Sequence, residues 1–316
     1  MDGLPTILFD AAGLSQDNVL SQRTVKTAIG CVGVGVHSGR RTSLMLKPAP
    51  INHGVIFRRT DLGQDIPARF DQVTDTRLCT VISNGDARVG TVEHLMAALA
   101  GAGIDNILIE IDGPEVPIMD GSAAPFLFLL DCAGIEEQDA PRVMIEILRP
   151  IRVTEGEAFA ELRPYPRASR IDPPVLEMEL TIDFAAAAIG RQGCALRLTP
   201  NTFRDELSRA RTFAMAEEVE QLQKAGLALG GSLDNAVVVD KDRVLNPGGL
   251  RMPREFARHK MLDAVGDLAL AGASLHGRFI AHRTGHALNT KLLRALMADR
   301  TAWRVIGAEQ PVAAAA

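Results

Sequence analysis

Arg258-His259-Lys260-Met261-Leu262-Asp263-Ala264-Val265-Gly266-Asp267-Leu268 is the stretch around which the chain is organised. At roughly 100° per residue on a helix, His259, Asp263 and Asp267 fall within about 80° of one another, while Met261, Leu262, Val265, Leu268 and Ala269 take the opposite side. The spacing predicts a helix with one apolar and one polar face, ending near Gly272. A His and an Asp four residues apart on one face bring an imidazole nitrogen and a carboxylate oxygen to a single metal ion, each at about 2 Å. The same pattern also describes an ordinary solvated helix face, and this stretch alone does not separate the two readings.

Composition narrows the classes. The 316 residues leave room for two domains of ordinary size or one large one. Hydrophobic residues at 47% and charged residues at 23% are ordinary for a globular protein. A net charge of −5 and a pI near 5.8 argue against nucleic acid as a partner of the whole surface, so an anionic ligand must be met by a local cluster. The first twenty residues contain Asp2 and Asp10 and neither a basic leader nor a long apolar run, so no secretory signal is expected. No stretch approaches the ~20 apolar residues of a membrane span, and a cytoplasmic location is expected. Cys31, Cys79, Cys132 and Cys194 are scattered, which suggests neither a disulfide framework nor a cysteine zinc site.

Along the chain, residues 1–20 read as a loosely held extension. Gly33-Val34-Gly35-Val36-His37-Ser38-Gly39 reads as strand into turn, with Thr42 to Leu46 returning. These glycines do not make a phosphate loop, because a strand follows where a helix is required. Val55-Ile56-Phe57 and Leu78-Cys79-Thr80-Val81-Ile82 continue the β pattern, and Asn84-Gly85 marks a turn. Thr91 to Ala100 reads as a helix stopped by Gly101 or Gly103. A strand from Asn106 to Ile111, a loop from Asp112 to Gly121 and a helix capped by Ser122 and running to Cys132 follow.

The same order recurs later. Strands at Val143 to Ile147, Ala158 to Leu162 and Leu176 to Phe184 precede the His259 helix. A strand at Gly277 to Ala281, a Thr284-Gly285 turn and a helix from His286 to Met297 come after it. The fold class expected is therefore α+β, built as two similar units at 21–138 and 141–304 that join near Gln138 to Pro141, with a tail at 305–316. Residues 211–240 have no counterpart in the first unit. They read as an insertion: a helix from Glu217 to Ala225, a Gly226 to Gly231 link and a strand from Ala236 to Val239.

A catalytic zinc site takes three protein ligands and leaves one position open. His259 and Asp263 supply two. Equivalent helices of two similar units meet at their interface, which brings His94 within reach as the third. Glu93, about 100° round the helix from His94, then lies beside the metal, the place of a general base acting on water. Its plain alternative is a first-turn carboxylate answering the helix dipole. His286 opens the last helix, where an imidazolium meets an unfavourable dipole unless a carboxylate is near, and Asp267 is the candidate partner. His286 is expected to work as an imidazolium that steadies an oxyanion and protonates a leaving nitrogen. Thr212, in Ser208-Arg209-Ala210-Arg211-Thr212-Phe213, offers a hydroxyl to the same oxyanion, or equally a cap. His37, His53, His276 and His282 read as structural or surface residues.

Together, Thr91-Val92-Glu93-His94-Leu95, Gly103-Ile104-Asp105-Asn106-Ile107, Pro117-Ile118-Met119-Asp120-Gly121-Ser122, the Ser208 to Phe213 run, His259-Lys260-Met261-Leu262-Asp263 and Gly285-His286-Ala287-Leu288-Asn289 resemble the UDP-3-O-acyl-N-acetylglucosamine deacetylases. These are zinc amidohydrolases of lipid A biosynthesis in Gram-negative bacteria, and the resemblance runs from about Gln22 to about Trp303. It implies two α+β domains whose helices pack between two outer sheets, with a small β insertion in the first and a β-α-β insertion in the second. It implies zinc on His94, His259 and Asp263, Glu93 as base, and His286 with Asp267 beside it. Thr212 then contacts the oxyanion, Phe213 lies near the sugar, Lys260 meets the substrate's anionic groups and Cys79 lies near the site. The insertion becomes a hydrophobic passage for the 3-O-acyl chain, lined by Met215, Val219, Leu222, Leu227, Ala228 and Ser232.

The chain departs from the family pattern at Gly35-Val36-His37-Ser38-Gly39, where Leu and Thr are common at the second and fourth positions, and at Met215, where an aromatic is frequent. The reaction implied is hydrolysis of the 2-acetamide to acetate and a free amine. The implied partner is the UDP-sugar substrate, with no nucleic acid and a monomeric chain. A non-catalytic zinc or sugar-nucleotide binder and an amidase of another acylated substrate, such as a peptide, are the competing readings. The presence of Glu93 counts against the first. The lack of a His-Glu-x-x-His helix and the apolar insertion count against the second.

Overall fold

The computed structural model describes residues 20–166 and 174–307. The expected N-terminal extension up to residue 19 and the Ala-rich end lie outside the described residues. Helices are α1 (Glu93–Ala102), α2 (Ala124–Ala133), the single turn α3 (Pro200–Thr202), α4 (Ala216–Lys224), α5 (Glu255–Ala269) and α6 (His286–Ala298). With 20 strands in several sheets among the described residues, the class is α+β.

The first half builds a five-stranded sheet in the order Ile29–Val34, Arg41–Pro48, Ile107–Ile111, Val55–Arg59, Gln64–Pro67. Thr42, Leu44 and Leu46 alternate inward along the second of these strands, and the residues between them face out, the period-2 signature of a half-buried sheet. The second half builds a seven-stranded sheet centred on Ser274–His282. Gly277, at φ 155, divides that strand. Its start pairs with Met144–Ile147, and its end lies between Ala158–Arg163 and Leu176–Asp183. In each half a strand lying between two helices runs parallel to a sheet neighbour, Ile107–Ile111 beside Val55–Arg59 and Ser274–His282 beside Leu176–Asp183. The repeat read from the element order is a repeat of topology.

The helices form the layer between these sheets. α1 packs on α5 and α2, α5 packs on α6, α2 meets the first sheet, and α5 and α6 meet the second. Burial therefore surrounds α5: every residue from Met261 to Leu268 is buried, Asp263 and Asp267 included. The polar face predicted from the helical spacing is present but not solvated, because α1 lies across it.

Several local expectations change for physical reasons. The strand expected from Leu78 begins only at Val81, because Thr80 turns its backbone and hydroxyl toward α1 and α5 instead of a neighbouring strand. Val81–Asn84 and Ala87–Val89 make the hairpin signalled by Asn84-Gly85, and Val73–Asp75 completes a small three-stranded sheet. α1 ends at Gly103, whose φ of 74 is the left-handed stop that glycine supplies most cheaply. Ser122 lies one residue before the N-cap of α2, where its Oγ accepts from Ala124 N–H at 3.3 Å. Ile135–Pro141, which includes the residues expected to join the two units, forms a strand on Ser21–Val25, and Trp303–Ile306 extends the second sheet into the expected tail. The insertion is β-α-β: Phe213–Met215 and Val237–Asp240 run parallel on either side of α4. Among the described residues, no helix is long and apolar enough to cross a membrane.

Candidate metal centre and active site

α1 and α5 approach closely at Gly266. A Cβ on Gly266 would fall 2.0 Å from the Glu93 carbonyl oxygen, so the crossing needs a residue with no side chain there. One residue along α1, His94 faces His259 edge to face, with ring centroids 5.1 Å apart. Nε2 of His259 lies 3.3 Å and Nε2 of His94 3.7 Å from Oδ1 of Asp263. One ligand atom from each of these three residues lies within 4.8 Å of the others, and all three residues are buried.

The chemistry of this cluster is that of a metal donor set. Asp263 Oδ1 is buried without a hydrogen-bond partner, an arrangement that is costly unless a cation answers it. Burial, followed by the neighbouring His259, pushes the His94 imidazole down to about 3, and burial lowers His259 too. Both rings are therefore neutral and have lone pairs to give. The His259 tautomer follows from its partner: Nδ1–H donates to the Ala210 carbonyl at 3.1 Å, leaving Nε2 free to face Asp263. Burial alone would raise the Asp263 carboxyl, but His259 and Lys260 outweigh it and hold the group far below the usual carboxylate range. Two neutral imidazoles around an ionised carboxylate fit a divalent metal.

A second group of polar residues borders this cluster. Glu93 is buried, its Oε2 accepts from the Thr80 backbone N–H at 3.0 Å, and its Oε1 lies 3.8 Å from Nε2 of His286. Burial pushes the Glu93 carboxyl up to about 7, with His286 opposing and Asp263 reinforcing. A carboxyl with that value exchanges its proton near neutrality. His286 Nδ1 lies 2.9 Å from Oδ2 of Asp267. Burial would lower this imidazole, but Asp267 and then Glu93 outweigh it and push it up to about 10. Asp267 is further held by the Thr80 hydroxyl at 2.6 Å and the Asn289 amide at 2.8 Å. Asn289 in turn accepts from the Thr284 hydroxyl at 2.7 Å.

The other expected residues have these places. Lys260 Nζ donates to Oδ2 of Asp263 at 2.9 Å, so its ammonium is bound to the candidate ligand carboxylate. Phe213 packs edge-on to His259 and Phe256, with the Lys260 ammonium 5.8 Å from its ring centre. The Thr212 backbone bridges Gly121 O and Val237 N–H at the start of the insertion. Cys79 is buried, and burial followed by the nearby Glu93 charge pushes its thiol up to about 12. In the insertion, Met215, Val219 and Leu222 are half-buried, Ala228 is buried, and Leu227 and Ser232 are exposed.

Residue patterns missed the groups that hold the site. Ala210 acts through its backbone carbonyl, which has no sequence signature. Thr80 lies in the loop before Val81, outside any periodic element, and Asn289, although on the buried face of α6 with Leu292, Leu293 and Leu296, is a polar residue there with no spacing that pairs it with Asp267. Arg211 and Glu255 make a buried ion pair at 2.8 Å that also engages Arg211 N–H and Gly249 O, clamping the Ala210 segment to the first turn of α5. The adjacency of Arg211 to the Ala210-Thr212 run was the available signal.

A buried His-His-Asp set flanked by a carboxylate and a carboxylate-held imidazole defines the class as a hydrolytic metalloenzyme. Within that class, the chain belongs to the UDP-3-O-acyl N-acetylglycosamine deacetylase family, whose model matches residues 22–298. It is 47% identical over 293 residues to the UDP-3-O-acyl-N-acetylglucosamine deacetylase of Actinobacillus pleuropneumoniae serotype 3 (strain JL03), covering 91% of this chain and 94% of that one. It is 48% identical over 297 residues to the enzymes of the same name from Shewanella piezotolerans and Shewanella pealeana, covering 92% of this chain and 94% of each of theirs.

Proposed function

We propose that this chain hydrolyses the N-acetyl group of UDP-3-O-(3-hydroxyacyl)-N-acetylglucosamine, releasing acetate and the free 2-amine for lipid A biosynthesis. The observation that carries the reading is the orphaned Asp263 oxygen between two neutral imidazoles, with Glu93 and His286 beside it. Zinc is the metal we assign, because two imidazoles and one carboxylate with an open position are its usual catalytic donors. The chain acts as a monomer in the cytoplasm on this reading.

His94, His259 and Asp263 would hold a zinc ion, which would supply Lewis acidity toward a water and the acetamide carbonyl. Glu93 takes the proton of the attacking water, its carboxylate aimed by the Thr80 N–H. The imidazolium of His286, with Nδ1–H directed at Asp267, presents its Nε2 proton to the oxyanion and then to the leaving nitrogen. Thr212 adds a hydroxyl to the oxyanion, and Phe213 walls the sugar side. Lys260 answers substrate anions while holding Asp263. Cys79 lies close enough to Glu93 to feel its charge, and the insertion holds the acyl chain along Met215, Val219, Leu222, Leu227, Ala228 and Ser232.

The test is acetate release from the acylated UDP-sugar with and without a zinc chelator. Turnover that chelation abolishes and zinc restores supports the assignment; metal bound without turnover overturns it in favour of a binding protein or another amide. In the same assay Glu93→Ala keeps its metal and loses about 10²–10⁴ in rate. An equally active Glu93→Ala would remove Glu93 from the scheme.

The alkaline limb of the pH profile reports His286. Its pKa is raised by folding, so the charged form and the stability that goes with it are present below the unfolded value near 6.5 and are lost as pH rises through about 10. Activity that depends on the imidazolium therefore falls on the alkaline side, at a lower pH once a divalent cation adds its charge nearby. Asp267→Asn removes the largest raising influence and moves that limb toward neutral pH. A limb that stays in place in this variant, or in His286→Ala, would sink the acid role.

A further inference from the structure

Glu115 takes no part in the chemistry above, yet its side chain is buried and gathers separate pieces of chain. Oε1 accepts from His37 N–H at 2.9 Å and from the Thr91 hydroxyl at 3.0 Å, and Oε2 accepts from Ser38 N–H at 2.8 Å. A Cβ on Gly35 would lie 2.3 Å from Oε2, so the carboxylate closes directly under the 35–39 loop. The backbone is tied as well: Gly90 N–H donates to Pro114 O at 2.9 Å, and Val116 N–H donates to Gly90 O at 3.0 Å.

The contacts on either side of Glu115 give it its interest. On one side, Thr91 stands at φ 56, a left-handed conformation that a β-branched residue adopts only under constraint. Thr91 lies two residues before Glu93, at the mouth of α1. On the other side, the loop meets the insertion backbone to backbone: Gly230 N–H donates to Val36 O at 3.0 Å and Leu229 N–H to His37 O at 3.3 Å. A Cβ on Gly230 would fall 2.3 Å from Gly35 O. The insertion, the loop, the carboxylate and the entry to α1 are therefore in continuous contact.

Continuity alone is not coupling; a joint with two arrangements is needed. The left-handed Thr91, whose hydroxyl donates to Glu115 two residues before Glu93, is where such a joint would lie. We propose that Glu115 is a positioning residue that links the insertion to Glu93, so that an acyl chain held by the insertion accelerates the amide chemistry as well as tightening binding. Remote binding energy would then be spent on kcat. This rests on the deacetylase reading and adds a specificity device to the same site.

The experiment compares kcat and KM for UDP-N-acetylglucosamine bearing a long or a short 3-O-acyl chain, in the zinc-loaded wild type, Glu115→Gln, Glu115→Asp and Gly230→Ala. The wild type is expected to show a higher kcat with the long chain. Glu115→Gln should reduce that kcat ratio about tenfold, with zinc content unchanged. Glu115→Asp, which keeps the charge, should restore part of it. Gly230→Ala, which pries the loop from the insertion side, should lower the same ratio without touching Glu115. A Glu115→Gln enzyme equally impaired on both substrates would overturn the proposal, because a merely structural role lowers both rates alike. If that variant does not fold, the Gly230→Ala ratio decides alone. A wild type with equal kcat on both substrates defeats the coupling and leaves the deacetylase standing, whereas a wild type that hydrolyses neither defeats the deacetylase reading itself.

Discussion

Asp263→Ala is expected to strip the metal and bring acetate release to the uncatalysed background while the chain remains folded. The carboxylate is the only charged member of the donor set, so its loss leaves two neutral imidazoles that cannot compensate a divalent charge. It also frees the Lys260 ammonium, whose bond to Oδ2 at 2.9 Å ends, and places that uncompensated charge beside the remaining donors. Both changes repel a cation. The loss should therefore exceed the roughly 10–100-fold that removal of an outer-shell partner costs. Metal content after dialysis, measured beside kcat, checks it. An Asp263→Ala protein that retains one equivalent of zinc would show that the ion sits elsewhere. The contrast with Glu93→Ala, which keeps metal and loses rate, separates ligand from base within one pair of crossing helices.

Gly266→Ala should be nearly as damaging, although it changes no polar atom. Two effects oppose each other. In an exposed helix interior, Gly→Ala gains about 1 kcal/mol from backbone entropy. Here the new Cβ would lie 2.0 Å from Glu93 O and 2.8 Å from its carbonyl carbon, both backbone atoms that no rotamer change can move. Restoring van der Waals separation requires α1 and α5 to part by roughly 1–2 Å. Overpacking of this kind costs about 1–3 kcal/mol or more, which outweighs the entropy gain. The displacement also carries Glu93 and His94 away from Asp263 and His286, and a misplacement of about 1 Å costs about 10²-fold in rate. A lowered Tm together with a lowered kcat is the expected result. A variant with raised Tm and unchanged kcat would mean that the crossing has slack, and that propensity decides at this position.

Much of the site was legible because helical periodicity is local. His259, Asp263 and Asp267 share a face by spacing alone, the equivalence of the two units' helices pointed to His94 and Glu93, the dipole at the start of the last helix pointed to His286, and the family resemblance supported all three. What periodicity did not reveal is that this face is buried, since a polar face on an amphipathic helix is ordinarily solvated. Nor did it find the supports. The Ala210 carbonyl that orients His259 belongs to a residue with no polar side chain. Thr80 had the composition of a strand residue, and its tie to Glu93 spans 13 residues and its tie to Asp267 187. The strand expected at Leu78 was lost for the same reason: its backbone donor is committed to a carboxylate in the helix layer rather than to a sheet.

The sequence by itself determined the α+β class, the repeated order of elements, the place of the insertion and the residue types of the candidate metal site, because apolar period, turn chemistry and helix stops act over a few residues. Only the tertiary structure decided that α1 crosses α5 at Gly266, that His94 Nε2 and Asp263 Oδ1 stand 3.7 Å apart there, and that Glu115 ties the loop before Arg40 to the entry of α1. These are contacts between elements far apart in the chain. They depend on a missing side chain, on backbone carbonyls and on buried carboxylates whose partners are set by the packing of two sheets around one helix layer.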